Sequence, residues 1–124
     1  MKEKAVNKAK KISPPDVGAT ISAVFGCKWS LKILDAIQAG ICRPGAIEKA
    51  LPGLTTRVQN YYFARMMALG IIDKTIYAEM PPRVEYYLTD YGLRIFEILK
   101  YIKAVQKDIE AELELANAEG LGAE

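Results

Sequence analysis

Apolar residues recur at spacings of three and four along several stretches of the chain, a period that is typical of helices with one buried face. The clearest stretch runs from Thr55, a suitable N-cap residue, to Leu69, and Gly70 favours a helix end there. The inward face is predicted to contain Val58, Tyr62, Phe63, Met66 and Leu69. The outward face carries hydrogen-bonding side chains, namely Thr56, Arg57, Asn60 and Tyr61. The pattern predicts an amphipathic helix of about four turns.

The same period predicts four further helices, each with a start or stop signal. Asp16 is placed to cap the first helix, and Gly40 ends the second. Pro44 fits the first turn of the third, and Thr89 is a suitable cap for the last. The single tryptophan, Trp29, falls on the apolar stripe of the second helix, which favours a core position over a ligand-stacking one. These helices are predicted at residues 17–25, 28–39, 43–51 and 90–115.

After Gly70 the period changes from helical to alternating, which is typical of β-strands. Two antiparallel strands are predicted at residues 71–77 and 84–88, and Ile41-Cys42 is compatible with a very short third one. The turn between the two main strands contains Pro81-Pro82, which cannot donate backbone hydrogen bonds to a neighbouring strand. We therefore expect this turn to project from the domain.

Two short helices joined by a tight turn, the second polar on its outer face, form a helix-turn-helix, and the projecting ribbon makes it a winged helix. The predicted fold class is α+β, mainly helical: a winged helix-turn-helix with a two-stranded β wing and a long C-terminal dimerisation helix. A chain of 124 residues that is 51% hydrophobic is expected to form one such domain, at residues 13–115. Residues 1–12 are predicted to be a flexible basic arm and residues 116–124 a frayed acidic tail.

The last predicted helix, residues 90–115, is longer than so small a domain can cover, since it would extend about 40 Å. An apolar seam runs along it, formed by Ile95, Ile98, Ile102, Val105 and Ile109. We expect Ile95 and Ile98 to cover the domain itself, and the seam from Ile102 onward to pack against a second copy of the chain.

The charge distribution and the cysteine content limit the range of possible functions. Residues 1–12 hold five lysines and one glutamate, and residues 107–124 hold one lysine and six acids, although the net charge is only +2. The basic arm fits either a phosphate-binding extension or a solvated chain end. Histidine is absent and Cys27 and Cys42 are the only cysteines, which excludes the usual zinc ligand sets and a histidine-based triad. We expect no enzyme activity, no metal and no cofactor.

Membrane and secretory signals are also missing from the sequence, because no run of 18 apolar residues exists and no hydrophobic segment follows the first lysines. We therefore expect a cytoplasmic protein that does not contact membranes.

Side chains that reach base edges and phosphates cluster on the predicted helix-turn-helix and wing. Arg83 on the wing fits a phosphate or minor-groove contact as well as it fits a surface pair with Glu79 or Glu85. Double-stranded DNA is the predicted partner, bound by a homodimer at two half-sites about one turn apart. The predicted DNA-binding residues are Arg43, Thr55, Thr56, Arg57, Asn60, Tyr61 and Arg83.

Three segments carry motifs in the same order and register: Gly26–Leu34, Leu51–Val58 and Tyr77–Thr89. They resemble, respectively, the opening, the start of the recognition helix and the wing signature of the HxlR-type winged-helix transcriptional regulators. The resemblance implies a homodimeric DNA-binding repressor or activator of the bacterial or archaeal cytoplasm, and it does not identify an effector. It also implies dimer contacts from the first and last helices. The predicted interface is Ile21, Ile95, Ile98, Ile102, Val105 and Ile109.

Two departures from that family bear on function. Many members have a sensing cysteine just before the first helix, where this chain has residues 13–16 without a thiol. Cys27 replaces the second glycine of the first motif; it is either a displaced redox sensor activated by Lys28 and a helix N-terminus, or a small buried filler, the commoner fate. Cys42 is a weaker candidate. Gln59 stands where the family usually has a core leucine, which leaves the rotation of the recognition helix open.

Sequence-specific DNA binding is thus the leading hypothesis. The alternatives are a winged helix used only for protein–protein association and a thiol-based redox-sensing regulator that uses Cys27. Salt-dependent affinity for duplex DNA distinguishes sequence-specific DNA binding from a role in protein–protein association alone.

Overall fold

The computed structural model describes residues 13–120. The element order is that of a winged helix-turn-helix with a long C-terminal helix, which confirms the predicted fold class. The predicted basic arm and residues 121–124 lie outside the described residues. The elements are α1 (Val17–Phe25), α2 (Lys28–Gln38), α3 (Pro44–Ala50), α4 (Thr56–Ala68), β1 (Ile72–Tyr77), β2 (Arg83–Leu88) and α5 (Asp90–Ala118).

The predicted helix caps are present. The Asp16 carboxylate accepts a hydrogen bond from the Ala19 amide at 3.0 Å, and the Thr55 hydroxyl accepts one from the Val58 amide at 3.2 Å. Thr89 caps α5 in the same way. Because α5 continues to Ala118, three residues of the predicted frayed tail belong to the helix.

The two strands pair in an antiparallel register that runs from Ile72 opposite Leu88 to Tyr77 opposite Arg83. The turn between them projects as predicted, and Met80 at its tip is 94% exposed. The short strand predicted at residues 41–42 is not formed. Instead the Cys42 carbonyl accepts a single hydrogen bond from the Tyr86 amide at 2.9 Å, and the chain turns directly into α3. This bond docks the base of the wing on the helix-turn-helix.

The core lies between the first four helices, α1 to α4, the wing strands and the first half of α5. Its fully buried side chains include Ile33, Leu34, Ile47, Met66, Ile71, Ile72, Ile95 and Leu99. The rings of Phe63 and Tyr86 stack with centroids 3.8 Å apart. Trp29 packs at the edge of this core and is only partly buried; the ammonium groups of Lys28 and Lys32 lie 5.3 and 5.0 Å from its ring.

Polar contacts attach α5 to the other helices. The Tyr91 hydroxyl donates to the hydroxyl of buried Thr20 in α1 at 2.8 Å, and Lys103 pairs with Asp35 of α2 at 3.0 Å. In the part of the chain from 13 to 120, no single helix is long and apolar enough to cross a membrane; α1 and α2 meet that requirement only as a pair bent by 100°.

Helix α5 begins in direct contact with the turn between α4 and β1. The Thr89 hydroxyl donates to the Gly70 carbonyl at 2.6 Å, and the Thr89 amide donates to the Ile71 carbonyl at 3.0 Å. A Cβ atom added to Gly92 would lie 1.9 Å from the Ile71 carbonyl oxygen. Only glycine therefore allows this approach of the two backbones.

We predict that Gly92→Ala lowers the free energy of unfolding by about 1–3 kcal/mol or more, because the added methyl group collides with backbone rather than with a movable side chain. Urea denaturation measures this loss. Gly45→Ala in α3 is the matched control, since nothing lies within 4 Å of its Cβ position and alanine is the better helix former. Equal stability of the two variants would contradict the proposed close contact.

Candidate nucleic-acid interface

The outward face of α4 presents three exposed polar side chains, and the ring of one of them, Tyr61, packs edge-on against Tyr62 with centroids 5.1 Å apart. Arg57, Asn60 and Tyr61 are exposed, and Tyr61 retains 57% of its accessible surface. They are neighbours on the helix surface because their spacings are three and four. Between residues 13 and 120, none of these side chains makes a hydrogen bond to another residue. They are available to bind a ligand in the groove-facing position of a recognition helix.

Thr55 and Thr56, also predicted to bind DNA, have roles inside the protein. The Thr55 hydroxyl caps α4. The Thr56 hydroxyl donates to Oε1 of Glu48 in α3 at 2.9 Å. Both side chains therefore fix the start of α4, and a contact from either of them to DNA stays a prediction.

Gln59 determines the rotation of α4 that the sequence left open. It is 0% exposed, and its Nε2 donates to Oε2 of Glu48 at 3.0 Å. The fully buried side of the helix therefore consists of Gln59, Phe63 and Met66, whereas three residues predicted to face the core are only partly buried. Those three are Val58, Tyr62 and Leu69.

Glu48 was missed by the sequence analysis. It binds Thr56 and Gln59 across the turn of the helix-turn-helix. A glutamate on a short helix normally indicates a solvated face, and no periodic signal connects it to residues 8 and 11 positions later.

Arg83 on the wing forms the glutamate pair that was one of its two predicted roles. Its Nη1 donates to Glu85 at 2.6 Å and its Nη2 to Glu79 at 2.8 Å. The guanidinium also lies 3.6 Å from the centroid of the Tyr77 ring. A DNA contact by Arg83 would have to compete with these glutamates.

Arg43, which precedes α3, is the more accessible arginine beside the wing. Its side chain is 58% exposed, against 25% for Arg83, and its Nε lies 3.7 Å from Glu85. Arg43 therefore presents positive charge to solvent at the junction between the helix-turn-helix and the wing.

These ion pairs shift proton affinities in opposite directions. The hydrogen bond from Arg83, followed by its charge and that of Arg43, holds the pKa of Glu79 below its usual value. Hydrogen bonds to Glu79 and then Glu85 raise the pKa of Arg83 above its already high ordinary value. Both partners thus remain ionised at neutral pH.

The two cysteines are free and partly buried. Cys27 lies beside Tyr62: burial raises the pKa of that phenol, and the neighbouring thiol raises it further. Among residues 13–120 no group of three or more cysteine, aspartate or glutamate side chains is placed to hold a metal ion.

The predicted dimer residues fall into two groups. Ile95 is 1% exposed and belongs to the core of its own chain, so it is not available to a partner; Ile21 and Ile102 are partly buried against that core. Ile98, expected to cover the domain, is instead 40% exposed. It begins an exposed strip that also contains Val105, Ile109 and Leu113.

The helix-turn-helix, the ribbon and the outward face of α4 define this chain as a winged helix-turn-helix protein. A sequence model of the HxlR-like helix-turn-helix family matches residues 24–113. The chain belongs to this family, as its three motifs predicted.

Known proteins show the same relationship. The chain is 32% identical over 88 residues to the uncharacterized HTH-type transcriptional regulator YtcD of Bacillus subtilis, a match that covers 71% of this chain and 69% of the relative. It is 39% identical over 72 residues to the uncharacterized HTH-type transcriptional regulator sll1512 of Synechocystis sp.; this match covers 58% of the chain and only 53% of that relative. A crystal structure of a MarR-family transcriptional regulator from Enterococcus faecalis has the same fold, with a TM-score of 0.73 and 24% identity over 85% of this chain and 97% of that one.

We predict that Arg83→Ala raises the pKa of Glu79 toward its usual value, measured by NMR titration of the side-chain carboxyl group. Because the folded-state pKa of Glu79 is lowered, its pairing stabilises the fold above the ordinary glutamate pKa and is lost as the pH falls through the folded-state value. Arg43→Ala is the control and should raise the pKa less, since Arg43 acts only through its charge. Equal shifts in the two variants would contradict a direct Arg83–Glu79 bond.

Proposed function

We propose that this chain is a sequence-specific DNA-binding transcriptional regulator that acts as a homodimer on an operator with two half-sites. The observation that carries the proposal is the free outward face of α4, where Arg57, Asn60 and Tyr61 are exposed on the second helix of a helix-turn-helix. In this fold class the second helix enters the major groove and reads base edges with residues near its N-terminus.

The three side chains suit base reading for different reasons. Arg57 can donate two parallel hydrogen bonds to guanine, and Asn60 can pair with the donor and acceptor of adenine. Tyr61 adds a hydroxyl on a rigid ring. Arg43 lies on the side of the wing and supplies charge for the phosphate backbone, a contact that positions the protein without reading sequence.

We predict that Arg57→Ala weakens binding to a selected operator by about 1–3 kcal/mol and removes discrimination at one base position. Fluorescence anisotropy with operator and single-substitution duplexes measures both effects. Lys100→Ala is the charge-matched control, because its ammonium group on α5 lies beside Glu97, away from α4. If Arg57→Ala binds the operator as tightly as the parent does, Arg57 does not contact the bases. If the parent shows no salt-dependent affinity for any duplex, the function is better explained as protein–protein association.

Helix α5 supports assembly into a dimer. Its 29 residues extend about 44 Å, and all side chains from 103 to 115 are exposed in the single chain. The exposed residues Ile98, Val105, Ile109 and Leu113 are spaced by seven, four and four, so they lie on one side of the helix. Such a strip suits packing against another helix. A second copy of the chain is the proposed partner, since a two-fold dimer presents two recognition helices to two half-sites.

We predict that Val105→Glu combined with Ile109→Glu converts the dimer to a monomer, because charges buried between apolar helices cost several kcal/mol. Light scattering measures the particle mass. Ile102 is left unchanged, since it packs partly against its own core. The control combines Ala104→Glu with Ala111→Glu, which adds the same charge at exposed positions outside the strip. A double variant in the strip that keeps the dimer mass would show that the strip is not the interface.

A further inference from the structure

One carboxylate joins the two helices of the helix-turn-helix. Oε1 of Glu48 in α3 accepts from the Thr56 hydroxyl at 2.9 Å, and Oε2 accepts from Nε2 of Gln59 at 3.0 Å. Thr56 and Gln59 lie on the same side of α4 because they are three residues apart. Within residues 13–120 these are the side-chain hydrogen bonds that connect α3 to α4.

Gln59 is an unfavourable choice for stability alone. It is 0% exposed, and its Oε1 has no hydrogen-bond partner in the described part of the chain. Rotation of the amide does not help, since Oε1 would then face the carboxylate oxygen of Glu48. A buried acceptor without a donor costs stability that leucine, an apolar side chain of similar size, would not lose.

The position of this link suggests what the amide does. Thr56 and Gln59 enclose Arg57 in the sequence, and Gln59 directly precedes Asn60. A bond at each of these two positions fixes both the tilt of α4 relative to α3 and its rotation about its own axis. The directions of Arg57 and Asn60 depend on that rotation, and bidentate base contacts are sensitive to direction.

We propose that Gln59 is a positioning residue for base reading: through Glu48 it holds α4 at the rotation that aims Arg57 and Asn60 into the groove. The inference rests on the proposed DNA-binding function. The positioning role and an ordinary core role predict different effects of replacing Gln59 on stability and on DNA selectivity. A side chain that only fills the core would lose stability and binding together when replaced, whereas a positioning residue loses selectivity while stability is kept or raised.

The test compares the full-length parent with Gln59→Leu, using a duplex that the parent selects from a random pool and a scrambled duplex of the same length. We expect the ratio of affinities for the selected and scrambled duplexes to fall about tenfold or more in Gln59→Leu, the loss expected when one bidentate base contact is misdirected. Affinity for the scrambled duplex should stay the same, since phosphate contacts depend on charge. The urea midpoint should stay the same or rise.

Two further variants act as controls. Glu48→Gln keeps an acceptor for Gln59 and a donor for Thr56, so it should retain the affinity ratio to within about twofold, whereas Glu48→Ala should lower it as Gln59→Leu does. Met66→Leu changes another fully buried α4 residue that makes no such bond, and should leave the ratio unchanged.

Three results would overturn the inference. An unchanged affinity ratio in Gln59→Leu would show that the link does not aim α4. A parallel fall in the ratio and in the urea midpoint would assign Gln59 to the core alone. A parent that selects no duplex would remove the proposed function itself, and with it this role; that failure is recognised in the parent before any variant is made.

Discussion

The backbone at Gly92 closely approaches the Ile71 carbonyl, and three functional elements of the molecule meet at this point. Ile71 follows α4 and precedes β1, and Gly92 lies in the first turn of α5, so the recognition helix, the wing and the long helix meet at one point. Thr89 strengthens this junction with bonds to Gly70 and Ile71. Backbone atoms cannot move aside as a flexible side chain can, so this close approach restricts how α5 is placed against the segment between α4 and β1.

Charge is used differently at the two ends of the proposed interface. On the wing, Arg83 is neutralised by Glu79 and Glu85 and stacks on Tyr77, so its charge shapes the ribbon more than it attracts a ligand. On α4, Arg57 has no such partner among residues 13–120. Desolvating Arg57 in a complex therefore breaks no ion pair with another of these residues, whereas the same contact by Arg83 would have to displace two carboxylates.

Local signals made most of the fold predictable. Asp16, Thr55 and Thr89 act within three residues of themselves, and the alternating pattern after Gly70 needs only its own strand, so sequence reasoning found these elements. Features that depend on tertiary geometry could not be predicted from the sequence. The Glu48–Gln59 bond spans 11 residues, and the division of α5 into buried Ile95 and exposed Ile98 depends on how that helix rotates against the core. No strand forms at residues 41–42, because the segment makes only one backbone hydrogen bond to the wing, from the Tyr86 amide to the Cys42 carbonyl. The position of the wing, which sets that bond, cannot be read from the local sequence.

Two features of the isolated chain lower its own stability, and each lies at a position proposed to serve binding: one is buried behind the outward face of α4, and the other is on the surface of α5. The amide oxygen of Gln59 is buried without a donor, and the strip containing Val105 and Ile109 leaves apolar area in water. Neither is compensated by a contact within residues 13–120, whereas each has a proposed role in a complex: the first would orient base-reading side chains, and the second would be covered by a partner helix. Stability lost at functional positions is common, because binding requires orientation and exposed area that a maximally stable monomer would not keep. The junction at Gly92 lies between these two regions, because it joins the first turn of α5 to the residue that connects α4 with β1.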